Sequence, residues 1–181
     1  EGTRVASQPT RRRAAGWLIV AFALGITATA SAKPEAVAFR IGNNAWTVPG
    51  SFDYQALALR FRLPWQGSYS RWDITTHLDV GAGAIESDGR HVGLFSIGPS
   101  VSFGRGEWRI ELGTAPSVFT RNRLSGRNFG GWSQFTSHVG LYCQIDRRWR
   151  IGYRLQHTSN GRLYSENDGL DLQTVDLWVG F

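Results

Sequence analysis

The sequence is poor in the residues that build covalent or metal frameworks. Its 181 residues hold one cysteine, Cys143, and no methionine. A single thiol closes no internal disulfide, and the four histidines are not grouped with it at a zinc-ligand spacing, so neither framework accounts for the fold. Lysine is almost absent, with Lys33 the single example among 20 basic residues. The net charge is +6, but Arg4, Arg11, Arg12 and Arg13 stand against Glu1 in the first 32 residues. Taking those four and one from the totals of 20 and 14 leaves 16 basic and 13 acidic residues, a scattered net +3. No Lys/Arg run interleaved with aromatics lines one element, so nucleic acid is not an expected partner.

Beyond Lys33 the chain also lacks a long apolar run and a sustained 3.6-residue period. Before it, Arg11 to Arg13, the apolar stretch Gly16 to Thr27 and the small residues Ala30-Ser31-Ala32 have the layout of an export signal. Residues 1–32 are therefore expected to be cleaved, leaving residues 33–181 as one domain. A membrane anchor fits less well, because the apolar stretch is short and no stop-transfer charge cluster follows it.

What is present is period two. From Tyr54 to Leu63 one parity reads Leu57, Leu59, Phe61, Leu63 and the other Ala56, Ala58, Arg60, Arg62. From Arg71 to Val80, Trp72, Ile74, Thr76, Leu78 and Val80 alternate with Arg71, Asp73, Thr75, His77 and Asp79. The same template fits Phe95 to Phe103, Trp108 to Gly113, Phe135 to Ile145, Trp149 to Gln156 and Val175 to Phe181, with a shorter strand near Glu35 to Gly42. That makes eight strands and an all-β expectation.

An eight-strand barrel is either soluble, with the apolar parity inside, or membrane-spanning, with the apolar parity toward lipid. Here the other parity is dense in charge, as at Arg60 with Arg62 and at Arg71, Asp73, His77 and Asp79. Small and charged residues suit a narrow lumen, so the expected fold is an eight-stranded antiparallel transmembrane β-barrel of the outer-membrane type. Leu57, Leu59 and Phe61 should then face lipid and Arg60 and Arg62 the interior. Trp65, Tyr69, Trp72, Trp108, Trp149 and Phe181 fall near strand ends, where an interfacial girdle sits. Short connections at Pro64 to Ser68, Gly104 to Glu107 and Asp146 to Arg148 alternate with longer ones at Asn43 to Asp53, Ile85 to His91, Phe119 to Gly131 and Asn160 to Gly169. Short turns are expected in the periplasm with both termini, and long loops outside.

Chemistry concentrates in the last hairpin. The lipid-facing parity Trp149, Ile151, Tyr153, Leu155 continues into His157 and Ser159, and that of the final strand runs back through Gln173 to Asp171. Paired as a hairpin, the two strands bring Asp171 near His157. A hydroxyl, an imidazole and a carboxylate are the set that nucleophilic acyl transfer needs, and polar groups on a lipid face are costly to keep. The spacing alone also fits three polar residues that merely end strands at the membrane surface.

The segment His157-Thr158-Ser159-Asn160-Gly161, followed by Asn167-Asp168-Gly169-Leu170-Asp171, resembles the C-terminal signature of the PagL family of outer-membrane lipid A 3-O-deacylases. That family has a His-x-Ser-Asn motif and an acidic residue fourteen positions after the histidine, which here is Asp171. The specific likeness covers roughly the last 25 residues; elsewhere it is one of architecture and length. It implies an esterase acting on the acyl chain at the 3 position of lipid A, with His157 as base, Ser159 as nucleophile and Asp171 as orienting acid. It departs at Asp171, where the family typically has glutamate; the missing methylene shortens the reach, and Glu166 and Asp168 are the alternative carboxylates.

The implied stepwise mechanism needs no metal or organic cofactor. Asn160 and Gly161 follow the nucleophile, so their backbone N–H groups or the Asn160 amide are oxyanion candidates, although Asn-Gly is equally a loop-forming pair. Arg121, Arg123, Arg127 and Arg162 lie in two loops near the site and are candidates for the phosphates of the substrate. The implied partners are lipopolysaccharide (lipid A) and the outer membrane, and a homodimer stays open. His77 and His138 fall on the lumen parity, while His91 lies by a loop. A non-catalytic barrel with a structural or adhesion role would show the same alternation without use for the triad; a soluble lipid carrier would invert the faces.

Overall fold

The computed structural model describes residues 33–46 and 50–181; the expected export segment, residues 1–32, lies outside them. The alternating stretches close into an antiparallel barrel. Its strands are β1 (Ala36–Asn44), β2 (Asp53–Tyr69), β3 (Trp72–Ser87), β4 (Arg90–Arg105), β5 (Trp108–Phe119), β8 (Ser133–Gln144), β9 (Trp149–Ser159) and β10 (Leu170–Gly180). First and last strands pair from Ala36 with Gly180 to Asn44 with Leu172, so no sheet edge is left open. In lipid that closure is obligatory, because every backbone N–H and C=O must find its partner within the protein. A small hairpin, β6 (Arg123–Leu124) with β7 (Arg127–Asn128), sits inside the β5–β8 connection and was not foreseen.

The faces are sorted as a lipid-facing barrel requires. Leu57 is 58% exposed and Leu59 39%, whereas Arg60 between that parity's residues is 1% exposed. Phe39, Ile41, Ile97, Ile110, Leu112, Leu141, Ile151 and Val175 are exposed in the same way, which makes the outer surface an apolar belt. Inside, Arg60 donates from Nε to Asp79 Oδ1 and from Nη2 to Glu111 Oε1, both at 2.8 Å, while Arg40 Nε reaches Asp176 Oδ2 at 3.0 Å. Tyr142 also donates to Asp176 Oδ2, and the Arg60 guanidinium lies 4.1 Å from the Trp178 ring. The interior is a packed ionic plug rather than a pore. Removing one partner of such a set leaves uncompensated buried charge, so Arg60→Leu is expected to destabilise the barrel by about 3–5 kcal/mol. A fall in the temperature at which the folded gel band converts to the unfolded one would show it, and Glu111→Leu in the same chain should recover part of the loss.

Several local expectations need correction. The short turn placed at Pro64 to Ser68 is an irregularity within β2: Arg62 pairs with His77, the next pair is Gln66 with Thr75, and three residues of β2 face one of β3. Pro64 has no N–H to give to a ladder, which is why the register slips there. The chain turns later, at Ser70 and Arg71. This slip buries Leu63 against Leu78 and Phe61 instead of leaving it in lipid. Arg62 keeps the lumen parity but lies at the mouth, exposed and bonded to Glu35 Oε2 at 2.7 Å. The long connection expected at Ile85 to His91 is a two-residue turn, Asp88-Gly89, both at positive φ as a tight hairpin of this hand needs.

The lumen is also not polar throughout. Toward the end with the long loops it is filled by Phe52, Tyr54, Ile85, Val92, Leu94, Phe119, Leu124, Phe129, Leu170 and Leu172, an apolar cap inside the barrel. Period two marks which residues point inward, not how deep each one lies. At the opposite end, Trp65, Tyr69, Trp72, Trp108, Trp149 and Phe181 are all exposed, together with the short turns and both strand termini. His77 and His138 are interior as expected, facing Glu35 and Glu111, and His91 stands by Glu86.

Candidate active site

Register decides the site. On the outward face of the β9–β10 hairpin Asp171 pairs directly with His157, and His157 Nδ1 lies 2.6 Å from Asp171 Oδ1. The shorter aspartate thus reaches the imidazole without a second methylene, because directly opposed residues of an antiparallel pair already stand close. The tautomer that completes this bond to a carboxylate acceptor carries its proton on Nδ1 and leaves the Nε2 lone pair unengaged. Both side chains are about half exposed, at 56% and 44%, toward the surrounding membrane surface.

Ser159 is two residues beyond His157 on the same face and is half-buried. Its Oγ makes no hydrogen bond to His157 in this arrangement; bonds of this kind commonly tighten only around bound substrate. Gly169, at φ 53°, closes the back of the site: a Cβ there would lie 3.5 Å from His157 Cε1 and 4.0 Å from Ser159 Cβ. Glycine takes up that backbone conformation without strain.

The alternative carboxylates have other places. Asp168 Oδ2 accepts the Asn128 N–H at 2.5 Å, and Glu166 is exposed with its carbonyl bound by Asn160. Asn160 is fully buried. Its N–H donates to Asn167 Oδ1 at 2.9 Å, its Nδ2 to the carbonyls of Phe129 and Glu166, and its Oδ1 accepts the Arg162 N–H. Both Asn160 donors are therefore engaged in holding the loop, and among the described residues the Gly161 N–H is the one oxyanion candidate with no hydrogen-bond acceptor.

Among the described residues no side chain or carbonyl holds the guanidinium of Arg121, Arg123 or Arg162, and all three are exposed. Arg127 differs, since its Nη1 donates to the carbonyls of Asp168 and Gly169 at 3.0 and 2.8 Å. Among the described residues no group of three His, Cys, Asp or Glu is gathered to hold a metal.

Sequence reading placed Tyr153 and Gln173 on this outer face but missed Ser137, Thr114 and Asn43 beside them. Ser137 of β8 stands directly opposite His157 and shares a hydrogen bond of 3.2 Å with Thr114. Toward the middle of the barrel, Tyr153 donates to Gln173 Oε1 at 2.6 Å, and Gln173 Nε2 donates to Asn43 Oδ1 at 2.9 Å. Ser137, Asn43 and Gln173 each interrupt an apolar parity, a signal that was available in the sequence.

A barrel with its apolar side outward, carrying a histidine–carboxylate pair beside a serine on that outer face, is the layout of a membrane-embedded hydrolase. The chain belongs to the lipid A 3-O-deacylase (PagL) family, whose model matches residues 53–179. That span runs from β2 to β10, well beyond the hairpin that carries the motif. The lipid A deacylase PagL of Bordetella bronchiseptica is 32% identical over 130 residues, covering 66% of this chain and 72% of that protein. In fold the chain is similar to the crystal structure of the outer membrane enzyme PagL, with a TM-score of 0.69 at 20% identity over 81% of this chain and 99% of that one.

Proposed function

We propose that the protein hydrolyses the ester-linked acyl chain at the 3 position of lipid A in the outer leaflet of the outer membrane, with Ser159 as nucleophile, His157 as general base and acid, and Asp171 as the orienting carboxylate. The observation that carries this reading is the 2.6 Å pair between His157 Nδ1 and Asp171 Oδ1, two residues from Ser159 on an outward face. A lipid substrate has no way into the plugged lumen, and it reaches this face by lateral diffusion. The end with the short turns lies in the periplasm, and the β9–β10 loop meets the outer-leaflet headgroups.

His157 Nε2 takes the Ser159 Oγ proton as Oγ bonds to the ester carbonyl carbon. The tetrahedral oxyanion is met by the Gly161 N–H. As the carbon–oxygen bond to the sugar breaks, the leaving oxygen takes the proton back from Nε2. Water, deprotonated by the same nitrogen, then attacks the acyl-enzyme, releasing the fatty acid and restoring the serine hydroxyl. The acyl chain lies in the bilayer against Val139, Leu141 and Ile151, which are exposed along β8 and β9 below the site. Arg121, Arg123 and Arg162 offer free guanidinium groups to the phosphates.

Mass spectrometry of lipid A before and after exposure to the purified protein tests this directly. A mass loss equal to one 3-hydroxyacyl chain is expected. Unchanged lipid A, or loss of an amide-linked chain, would overturn the reaction assigned.

A further inference from the structure

Arg127 was grouped with the loop arginines as a phosphate candidate, but its surroundings assign it differently. The β6–β7 hairpin that carries it is fastened into the barrel mouth. Leu124 and Phe129 are buried in the apolar cap, Phe129 packs edge-on against Phe119 at 5.0 Å, and Ser125 Oγ donates to the Ser87 carbonyl at 3.1 Å. From this fixed base Arg127 crosses to the other loop, with its guanidinium 5.2 Å from the Phe52 ring and Nη1 on the carbonyls of Asp168 and Gly169. Beside it, the Asn128 N–H donates to Asp168 Oδ2 and the Asp168 N–H donates back to the Asn128 carbonyl at 3.1 Å. Four hydrogen bonds thus tie residues 127–128 to residues 168–169.

The place where they end matters. Gly169 sits beside the site, where a Cβ would lie 3.5 Å from His157 Cε1 and 4.0 Å from Ser159 Cβ, and Asp171 follows two residues later, inside β10. Residues 161–168 are exposed and form no strand; Asn160 holds the loop at Arg162, Glu166 and Asn167, and the brace from residues 127–128 holds it at 168–169. We propose that Arg127 is a positioning residue, which fixes the Asp168–Gly169 segment and through it the relative placement of Asp171, His157 and Ser159. The proposal rests on the deacylase reading above. Its chemistry is that of a guanidinium on two backbone carbonyls, not on a substrate phosphate. A shift of about 1 Å among reacting groups lowers turnover by about a hundred-fold, whereas loss of a phosphate contact weakens binding.

The test compares lipid A with the same lipid chemically dephosphorylated, in mixed detergent micelles, using the full protein. If the unsubstituted protein hydrolyses neither, the deacylase reading itself fails, which separates that outcome from failure of this inference. Given wild-type activity, Arg127→Ala is expected to lower kcat by about ten- to a hundred-fold on both lipids with KM unchanged. Arg90→Ala, at an exposed arginine that begins β4, serves as a charge-matched control with wild-type rates. Asp168→Ala cuts the same brace from the other loop and should give the same fall in kcat, so the proposal stays testable if Arg127→Ala does not fold. A loss confined to the phosphorylated lipid, a change carried by KM, or a normal kcat in either variant would overturn it.

Discussion

Ser159→Ala is expected to lower deacylation by about four to six orders of magnitude, and His157→Ala by a similar factor, with the double replacement little worse than either. In the proposed scheme the two act as one unit: without the imidazole the hydroxyl is a poor nucleophile at neutral pH, and without the hydroxyl the imidazole has nothing to activate. The fold should be unaffected. Ser159 Oγ makes no hydrogen bond whose loss would count, and His157 is more than half exposed on the outer face, away from the ionic plug. Wild-type heat-modifiable mobility on a gel alongside the missing activity would establish both points, and a Ser159→Ala protein that deacylates at the wild-type rate would remove the nucleophile from the scheme.

Asp171→Ala should cost less, about ten- to a thousand-fold in kcat, because in the proposed scheme the carboxylate orients and stabilises the imidazole rather than reacting. Asp171→Asn should fall in the same range for a different reason: its amide can present a donor to Nδ1, which favours the tautomer that has lost its basic Nε2. Asp171→Glu places the longer acid of the PagL family at this position. Since Asp171 already reaches His157 at 2.6 Å, the extra methylene has to fold back, and a loss of no more than about ten-fold is expected. Full activity of Asp171→Ala on lipid A would assign the orienting role elsewhere.

The barrel was legible in the sequence because a membrane leaves little choice. Leu57 and Leu59 against Ala58 and Arg60 state the facing of β2 residue by residue, since a slip of one position would put Arg60 into lipid. The common facing of the proposed site residues was legible for the same reason. His157, Ser159 and Asp171 share the outward parity of their strands, and a two-residue period carries that parity from the apolar residues to the polar ones. Where the pattern failed, a local event broke its phase or its meaning. Pro64 removed a ladder donor and let β2 slip, which buried Leu63; Asp88-Gly89 closed a hairpin far tighter than its flanking polar residues suggested.

Depth and long-range contact were beyond the sequence. Leu170, Leu172 and Leu94 share the inward parity with Asp176 and Ser100, and only the position of each along a closed barrel separates an apolar cap from an ionic plug. Sequence alone determined that eight strands alternate, which way they face and that His157, Ser159 and Asp171 share the outward face at one end of the last hairpin, because those follow from a period of two and a short sequence separation. Only the tertiary structure decided that Asp171, and not Asp168, stands against His157, and that Arg127, from a loop some forty residues away, is bonded behind it. Those outcomes depend on strand register and on the docking of one loop against another, and neither is encoded in the spacing of the residues along the chain.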